Sequence, residues 1–325
     1  MGFLGFGNYN KPGPGVSKDE PPKAAPVRYF EIYGRKFTKL IQTNLLVSIP
    51  FLLVLGLMVL LFFVVEHPFI VMPSANPDSP ALFNWWLMYV VPSPLILLSP
   101  LVAGLTIVTR NFAREEHAFI WSDFIKAIKN NWKYFSLNGI LCYVVYVVLS
   151  FSITYYYNML YQGWFFYLPL GLSLVALLLF LFAQYYLPIL FVTFNLNFKQ
   201  AYKNAFIFGA LGMGRNILLT LLFGAIIALV LFIPVNIEIM LLVLFVIVFL
   251  FLFSFVSFTI NFATYPLIKK MMIDRKEEEE TSSGTEQDSF SDLEDTPEEE
   301  EQSDEYVYLN GRLIKKSDIK SQDDE

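Results

Sequence analysis

The chain has 325 residues, of which 55% are hydrophobic and 17% aromatic. This composition, with a mean hydropathy of +0.51, exceeds what a water-soluble domain can bury, so that class is excluded and a membrane protein is predicted. The formal net charge of -6 combines two unlike regions, because residues 1–276 carry 19 basic and 10 acidic side chains whereas residues 277–325 carry 4 and 19.

The first 39 residues are predicted to form a separate N-terminal segment. It contains GFGNYNKPGPGVSKDEPPKAAP, which is rich in Gly and Pro and has neither a helical nor a strand period. It is either a tether or a segment docked on the membrane domain, and its aromatic residues Phe3, Phe6 and Tyr9 favour docking. FEIYGRKFTKLIQ, from Phe30, has the pattern of a diverged amphipathic helix.

Residues 40–276 are predicted to form an all-α membrane domain with six transmembrane helices. Each of six apolar runs is long enough to cross about 30 Å of hydrocarbon at about 1.5 Å per residue. Prolines in the second and fourth runs are tolerated because neighbouring helices can satisfy the freed carbonyl groups. The predicted spans are 44–65, 83–109, 135–157, 165–193, 216–234 and 238–261.

The basic residues predict the orientation of the spans. Seven Lys or Arg precede the first span, five lie between the second and third, three lie between the fourth and fifth, and eight follow the sixth. The other three connections contain none. Since basic loops remain in the cytoplasm, the chain is predicted to be a multi-pass protein of the cell membrane with cytoplasmic N and C termini.

A phrase of ten residues occurs twice in the chain. DFIKAIKNNW begins at Asp123 and NFKQAYKNAF at Asn197, and each copy has the pattern of an amphipathic helix. Ser122 or Asp123, and Asn197, are the predicted N-caps. Their polar faces form a candidate cytoplasmic interaction platform: Lys126, Lys129, Asn130, Lys133, Lys199, Lys203 and Asn204. The predicted membrane-interface anchors are Trp121, Phe124, Trp132, Phe198 and Phe206.

The positions of the two copies favour a true repeat. Each follows a span that contains proline and precedes a span that opens with asparagine, at Asn138 and at Asn216; Asn44 opens the first span in the same way. We therefore predict a parallel repeat of helix hairpins. The alternative is that any short amphipathic connector would show this pattern.

Residues 277–325 are predicted to be an acidic, disordered tail, because this composition cannot bury enough apolar surface to fold. Within it, YVYLNGRLIKK spans residues 306–316, and its Asn310-Gly311 pair predicts a short type I′ hairpin. The tail is either a tethered binding element or a solubilising appendage.

Few residues suggest catalysis or metal binding. His67 and His117 are predicted on opposite sides of the membrane, and Cys142 is the single cysteine. The chain is therefore predicted to be non-enzymatic, with no cofactor and no nucleic-acid partner. Gln184 and Asn261 are the deepest polar residues and are expected to form hydrogen bonds between helices. A facilitator for small neutral solutes remains the alternative.

Three stretches together are similar to a known family. They are NYNKPGPGVSKDEPPK from Asn8, SPLVAGLTIVTRNFAREEHAF from Ser99 and the DFIKAIKNNW that follows. They resemble the YesL family of bacterial membrane proteins, which is defined mainly as a domain of unknown function. The resemblance covers roughly residues 1–270. It implies an accessory role in carbohydrate uptake, with a membrane transporter or sensor kinase as partner in addition to the lipid bilayer, and it assigns no catalytic residues.

Overall fold

The structure is a computed structural model that describes residues 23–64, 68–76, 78–232, 237–274, 306–309 and 312–315. The α-helices are α1 (Ala25–Val64), α2 (Leu101–Ala113), α3 (Ile120–Met159), α4 (Tyr167–Thr193), α5 (Phe198–Leu211), α6 (Met213–Phe232), α7 (Ile237–Ile247) and α8 (Phe253–Ile268). The strands are β1 (Ile70–Met72), β2 (Ala81–Phe83), β3 (Tyr306–Leu309) and β4 (Arg312–Lys315). The predicted all-α class is confirmed.

Four helical stretches are long and apolar enough to cross a membrane, and the number rises to six if each of two bent helix pairs forms one span. The four stretches are Ala25–Val64, Ile120–Gln162, Trp164–Thr193 and Ile239–Asp274. The bent pairs are Trp86–Leu98 with Leu101–Ala113, and Phe198–Leu211 with Met213–Leu229. The chain is therefore a multi-pass membrane protein.

The predicted second span, 83–109, is not one continuous helix. A π-helical turn at Trp86–Val90 and a 3-10 helix at Ser93–Leu98 precede α2, and the axis bends by 56° between Leu98 and Leu101. The cause is local, since Pro92, Pro94 and Pro100 lack the backbone N–H that a regular α-helix requires.

The predicted sixth span, 238–261, is also interrupted and extends further. A π-helical segment, Val248–Leu252, separates α7 from α8. Asn44 of α1 stabilises this irregularity, because its Nδ2 donates to the carbonyls of Val248 and Phe249 at 3.1 and 2.8 Å. Its Oδ1 accepts the N–H of Ser254 at 2.9 Å. One buried side-chain amide thus forms hydrogen bonds with backbone groups at the irregular segment, where the regular α-helical pairing is interrupted.

Helix α1 continues without a break across the predicted boundary between residues 39 and 40. The stretch that begins at Phe30 is therefore the first part of a 40-residue helix. The predicted docking of Phe3, Phe6 and Tyr9 lies outside the described residues.

Buried side chains concentrate at one end of the helix bundle. There the first part of α1 packs on α8: the Tyr29 ring lies 5.4 Å from the Phe258 ring, and its hydroxyl shares a hydrogen bond with Thr259 at 2.8 Å. By contrast, the most apolar windows of the four long helices bury only 0% to 17% of their residues. We call the packed end the basic end, after Arg28, Arg35, Arg114, Arg215 and Lys269.

Two small antiparallel hairpins complete the described structure. β1 pairs with β2, with Ile70 opposite Phe83, and the sequence pattern did not predict this pair. β3 pairs with β4, with Leu309 opposite Arg312, at the position of the predicted hairpin. The rest of the acidic tail, including residues 310 and 311, lies outside the described residues.

Candidate functional site

The two copies of the repeated phrase begin differently. The N-cap of α3 is Phe119, whose N–H donates to the Asp123 carboxylate at 2.8 Å, so the predicted caps Ser122 and Asp123 lie too far into the helix and were wrong. The predicted cap Asn197 is confirmed. It forms a capping box with Gln200, whose Oε1 accepts the Asn197 N–H at 3.1 Å.

The two copies of the phrase bury side chains at matching positions. Between the start of the first copy and Phe135, the buried positions are Phe124, Ala127, Asn131 and Phe135. The residues 74 positions later are Phe198, Ala201, Ala205 and Gly209, of which Phe198 is half-buried and the others are buried. The shared phrase therefore specifies the same packing face twice.

Each copy packs back on the helix that precedes it. A Cβ on Gly104 of α2 would lie 2.6 Å from the Phe124 ring, so glycine is what permits this close approach. A Cβ on Gly209 of α5 would lie 3.5 Å from atoms of Phe182 and Ala183 of α4. Both crossings place a small residue where the two helices meet, as close helix packing in membranes requires.

The predicted anchors separate into two groups. Phe124 is buried and Phe198 is half-buried, whereas Trp121, Trp132 and Phe206 are 68%, 51% and 43% exposed. The buried face of the helix therefore does not include the tryptophans. Small residues such as Ala127 fit against a neighbouring helix more closely than an indole does. Contact of the three exposed rings with lipid remains a prediction.

The two copies also contact each other beside α4. The rings of Tyr134 and Phe198 are stacked at 6.4 Å, and Phe191 of α4 lies 5.5 and 5.6 Å from them. The Tyr202 hydroxyl donates to Asn138 Oδ1, and Asn138 Nδ2 donates to Gln184 Oε1 at 3.2 Å. Aromatic stacking and a polar triad therefore join α3 and α5 through one partner helix.

The platform residues lie on these joined helices. Lys126, Lys129, Asn130 and Lys133 are exposed on α3, and Lys199 and Lys203 are exposed on α5. Asn204 is half-buried. Lys133 Nζ lies 5.8 Å from the centroid of the Trp132 ring, a cation–π contact. The structure thus presents two rows of lysines on helices whose opposite faces are packed.

A basic cavity of about 940 Å³ lies at the basic end among α1, α2, α6 and α8. Its charged lining consists of Lys23, Arg28, Arg114, Glu116, Arg215 and Lys269. The sequence pattern did not reveal this site, because its side chains come from four distant segments and share no local motif.

Glu115 organises one side of this basic end. It has a φ of 62°, a left-handed conformation that is uncommon for a residue with a side chain. Its carboxylate accepts hydrogen bonds from Arg35 and, at 3.1 Å, from Arg28. The hydrogen bond from Arg35, followed by that from Arg28, lowers the pKa of the Glu115 carboxyl from its ordinary value. One carboxylate thus links the loop after α2 to two turns of α1.

Two arginines of the cavity are held in place by neighbouring groups. Arg114 forms an ion pair with Glu116 at 2.6 Å and lies 4.8 Å from the centroid of the Tyr265 ring. Arg215 donates from one terminal nitrogen to the carbonyl of Ala263 at 2.8 Å. Both guanidinium groups are therefore oriented before any ligand is present.

A second cavity, of about 340 Å³, lies among α2, α4 and α8. Gln184 and Asn261, the deepest polar residues predicted from the sequence, both line it. Their predicted hydrogen bonds between helices are confirmed, because Gln184 accepts from Asn138 and Asn261 Nδ2 donates to Thr109 Oγ1 at 2.6 Å.

Within the described part of the chain, no group of three His, Cys, Asp or Glu side chains is arranged to hold a metal ion. His117 is exposed, with its ring 4.7 Å from that of Phe119. Cys142 is half-buried in α3, and its thiol contacts Asn138 Oδ1 at 3.8 Å.

These features define a multi-pass helical membrane protein with a packed, basic end. Residues 82–153 match a family described as "Protein of unknown function, DUF624". DUF624 is the YesL-type membrane protein family. The match contains the bent second span and the first copy of the phrase, whereas the second copy lies outside it. No curated protein and no solved structure matches the chain.

Proposed function

We propose that this chain is a YesL-type accessory or regulatory protein of a bacterial plasma membrane, non-enzymatic and with both termini in the cytoplasm. Its resemblance to that family suggests association with carbohydrate uptake, through a membrane transporter or a sensor kinase. The observation that carries the proposal is the pair of lysine rows, exposed on α3 and α5 while the opposite faces of both helices are packed.

Two packed helices are a suitable docking surface because little conformational freedom is lost when a partner binds. Near an anionic surface each lysine contributes about 1 kcal/mol of attraction, screened over roughly 8 to 10 Å by salt. The five lysines therefore favour an acidic partner domain. The chain's own acidic tail is the other segment with complementary charge.

The test is charge reversal of one lysine in each row, Lys129→Glu with Lys203→Glu, in the full chain. We expect the double variant to insert normally but to lose most partner recovery from native membranes in mild detergent, together with cross-links between the tail and these helices. The matched control is Lys129→Arg with Lys203→Arg, which keeps both charges and should keep both contacts. Recovery and cross-linking that are unchanged by charge reversal would show that the helices recruit nothing.

The orientation can be tested separately by labelling introduced cysteines from outside the cell, after Cys142 has been replaced by alanine. A cysteine at Asn76 should react with an impermeant reagent, whereas one at Ser122 should react only after permeabilisation. The opposite pattern would place the lysine rows outside and contradict the proposal.

The second cavity favours a second candidate function, a facilitator for small neutral solutes. Neutral polar residues line it, and Pro188 of α4 lies in its wall. The polar residues are the amides Gln184 and Asn261 and the hydroxyl-bearing Thr106, Tyr185 and Ser257. Solute flux through proteoliposomes of the purified chain would support this function if Gln184→Leu abolished it while Gln162→Leu, at an exposed position outside the cavity, did not.

A further inference from the structure

The basic cavity is unlike the lysine rows in both shape and chemistry. We propose that it binds the phosphate group of an anionic phospholipid, with Arg215 as the principal contact and Arg114 beside it. This inference goes beyond the accessory function proposed above and uses none of the platform lysines.

The charges of the lining determine the class of ligand. Five cationic side chains, Lys23, Arg28, Arg114, Arg215 and Lys269, line the cavity with one carboxylate, that of Glu116. Beyond the lining, Lys23 pairs with Glu31 at 2.8 Å and Lys269 with Asp274 at 4.0 Å, and Glu115 is shared between Arg28 and Arg35. With these partners included, six cations face four carboxylates. The site therefore holds an excess of positive charge, which an anionic ligand would offset.

Arginine fits a phosphate group in particular. Its planar guanidinium presents several N–H donors in a fixed arrangement that matches phosphate oxygens. The bond from Arg215 to the Ala263 carbonyl orients that guanidinium, and the Tyr265 ring and Glu116 orient Arg114. Because both side chains are already ordered, binding costs them little conformational entropy.

The rest of the lining favours a lipid over a soluble phosphate. Apolar and aromatic residues form much of the wall: Phe30, Leu222, Phe262, Tyr265 and Pro266. Leu222 lies inside the predicted fifth span, 216–234, whereas Arg215 immediately precedes that span. A molecule in the cavity thus meets cations at the span boundary and apolar side chains beyond it, as basic pockets between transmembrane helices do for phospholipid headgroups.

The experiment uses the full chain in a neutral detergent and measures its thermal unfolding midpoint during titration with three probes. These are phosphatidylglycerol, phosphatidylcholine and inorganic phosphate at matched concentrations. Phosphatidylglycerol should raise the midpoint in a saturable manner because it binds the folded state. Phosphatidylcholine should have a much smaller effect, and inorganic phosphate should have little effect without the apolar contacts.

The variant Arg215→Gln should weaken phosphatidylglycerol binding about fivefold, the change expected for the loss of one cation near an anionic headgroup. The matched control Lys270→Gln, which removes an exposed cation that belongs neither to the cavity lining nor to the lysine rows, should leave binding within about twofold of the wild type. If Arg215→Gln lowers the midpoint in the absence of lipid, Arg114→Gln provides the second variant, with the same expected loss of affinity.

Three outcomes would contradict the inference in distinct ways. Equal stabilisation by phosphatidylcholine would show that apolar contact alone fills the cavity. Equal stabilisation by inorganic phosphate would support a phosphate site but overturn the lipid as its source. Unchanged phosphatidylglycerol binding in both arginine variants would overturn the site itself. None of these results depends on partner recovery, so the proposal on the lysine rows would fail or stand separately.

Discussion

The two copies of the repeated phrase pack alike but continue differently. The first continues into a single helix, Ile120–Met159, of 40 residues. The second ends at Leu211, and the chain turns by 86° before α6. The comparison teaches that the phrase determines which face of each helix is buried, whereas the residues after it determine the path of the chain.

The bend has an identifiable cause. The interval from Lys203 to Asn216 is one helical turn longer than that from Lys129 to Asn138, and it contains Gly212. A Cβ on Gly212 would overlap the hydroxyl of Tyr186. That hydroxyl donates to Asn216 Oδ1 at 2.9 Å, and Asn216 Nδ2 donates to the carbonyl of Gly209 at 2.9 Å. One asparagine, held by one tyrosine, thus satisfies the Gly209 carbonyl at the break.

Exchange of one buried residue between the copies should have the largest effect. Asn131 and Ala205 occupy matching buried positions, and among the described side chains Asn131 Oδ1 is buried without a hydrogen-bond partner. Ala205→Asn should lower the free energy of unfolding by about 3 kcal/mol, because it adds volume and buries an unpaired amide. Asn131→Ala should change it by less than about 1 kcal/mol. Unfolding in a denaturing detergent measures both, and a larger loss for Asn131→Ala would show that the two faces are not equivalent.

The bend itself can be tested at Gly212. Gly212→Ala should lower the unfolding free energy by about 2 kcal/mol, because the new methyl group overlaps the Tyr186 hydroxyl. Tyr186→Phe removes that hydroxyl and should recover part of the loss in the double variant, relative to the sum of the single losses. A double-mutant cycle with no coupling would mean that the hydroxyl does not determine the conformation at Gly212.

Much of this fold could be predicted from the sequence, within definite limits. Hydrophobic periodicity predicted both amphipathic helices, and capping chemistry correctly predicted Asn197 as an N-cap. The predicted anchors Trp121 and Trp132 lie outside the packed face, because close packing against a neighbouring helix selects small residues such as Ala127. The span predicted at 83–109 is present as a bent helix pair and not as one straight helix, since three prolines within nine residues (92 to 100) prevent regular hydrogen bonding.

The basic cavity could not be predicted in this way. Its residues Arg28, Arg114, Arg215 and Lys269 are far apart in the sequence, and each one alone is an ordinary basic residue outside the predicted spans. Only the packing of α1 on α8, together with the bend before α6, brings them around one space. Tertiary contacts of this kind leave no periodic signal.

The contact between the two copies should have a smaller effect than the bend. Tyr202→Phe removes the hydroxyl that donates to Asn138 and accepts from Gln184 Nε2 at 3.4 Å. We expect a loss of about 1 kcal/mol in unfolding free energy. The control Tyr134→Phe keeps the stacked ring and should be close to neutral. Equal effects of the two substitutions would show that the rings, and not the polar triad, join α3 to α5.

The starts of the two copies should differ in their response to pH. Glu115, in the loop before α3, is an ion-pair acceptor, whereas residues 194–197 before α5 contain no acidic side chain. Because the pKa of Glu115 is lowered below its ordinary value of 4.5, its stabilisation is fully present above that value. It is lost as the pH falls through the lowered pKa, when the carboxylate takes up a proton and its bonds to Arg28 and Arg35 weaken.

Glu115→Gln should therefore lower the unfolding midpoint at pH 6 and have a smaller effect at pH 3. The loss should stay below about 1 kcal/mol because the side chain is 36% exposed. Asn197→Ala removes the capping box of the second copy and should cost about 1 kcal/mol at both pH values, since no proton is exchanged. Each variant is compared with the wild type at the same pH. The other carboxyl groups titrate in both proteins, so the difference between their unfolding midpoints reports the substituted residue alone. A loss for Glu115→Gln that was the same at pH 3 and pH 6 would mean that packing, and not charge, joins this loop to α1.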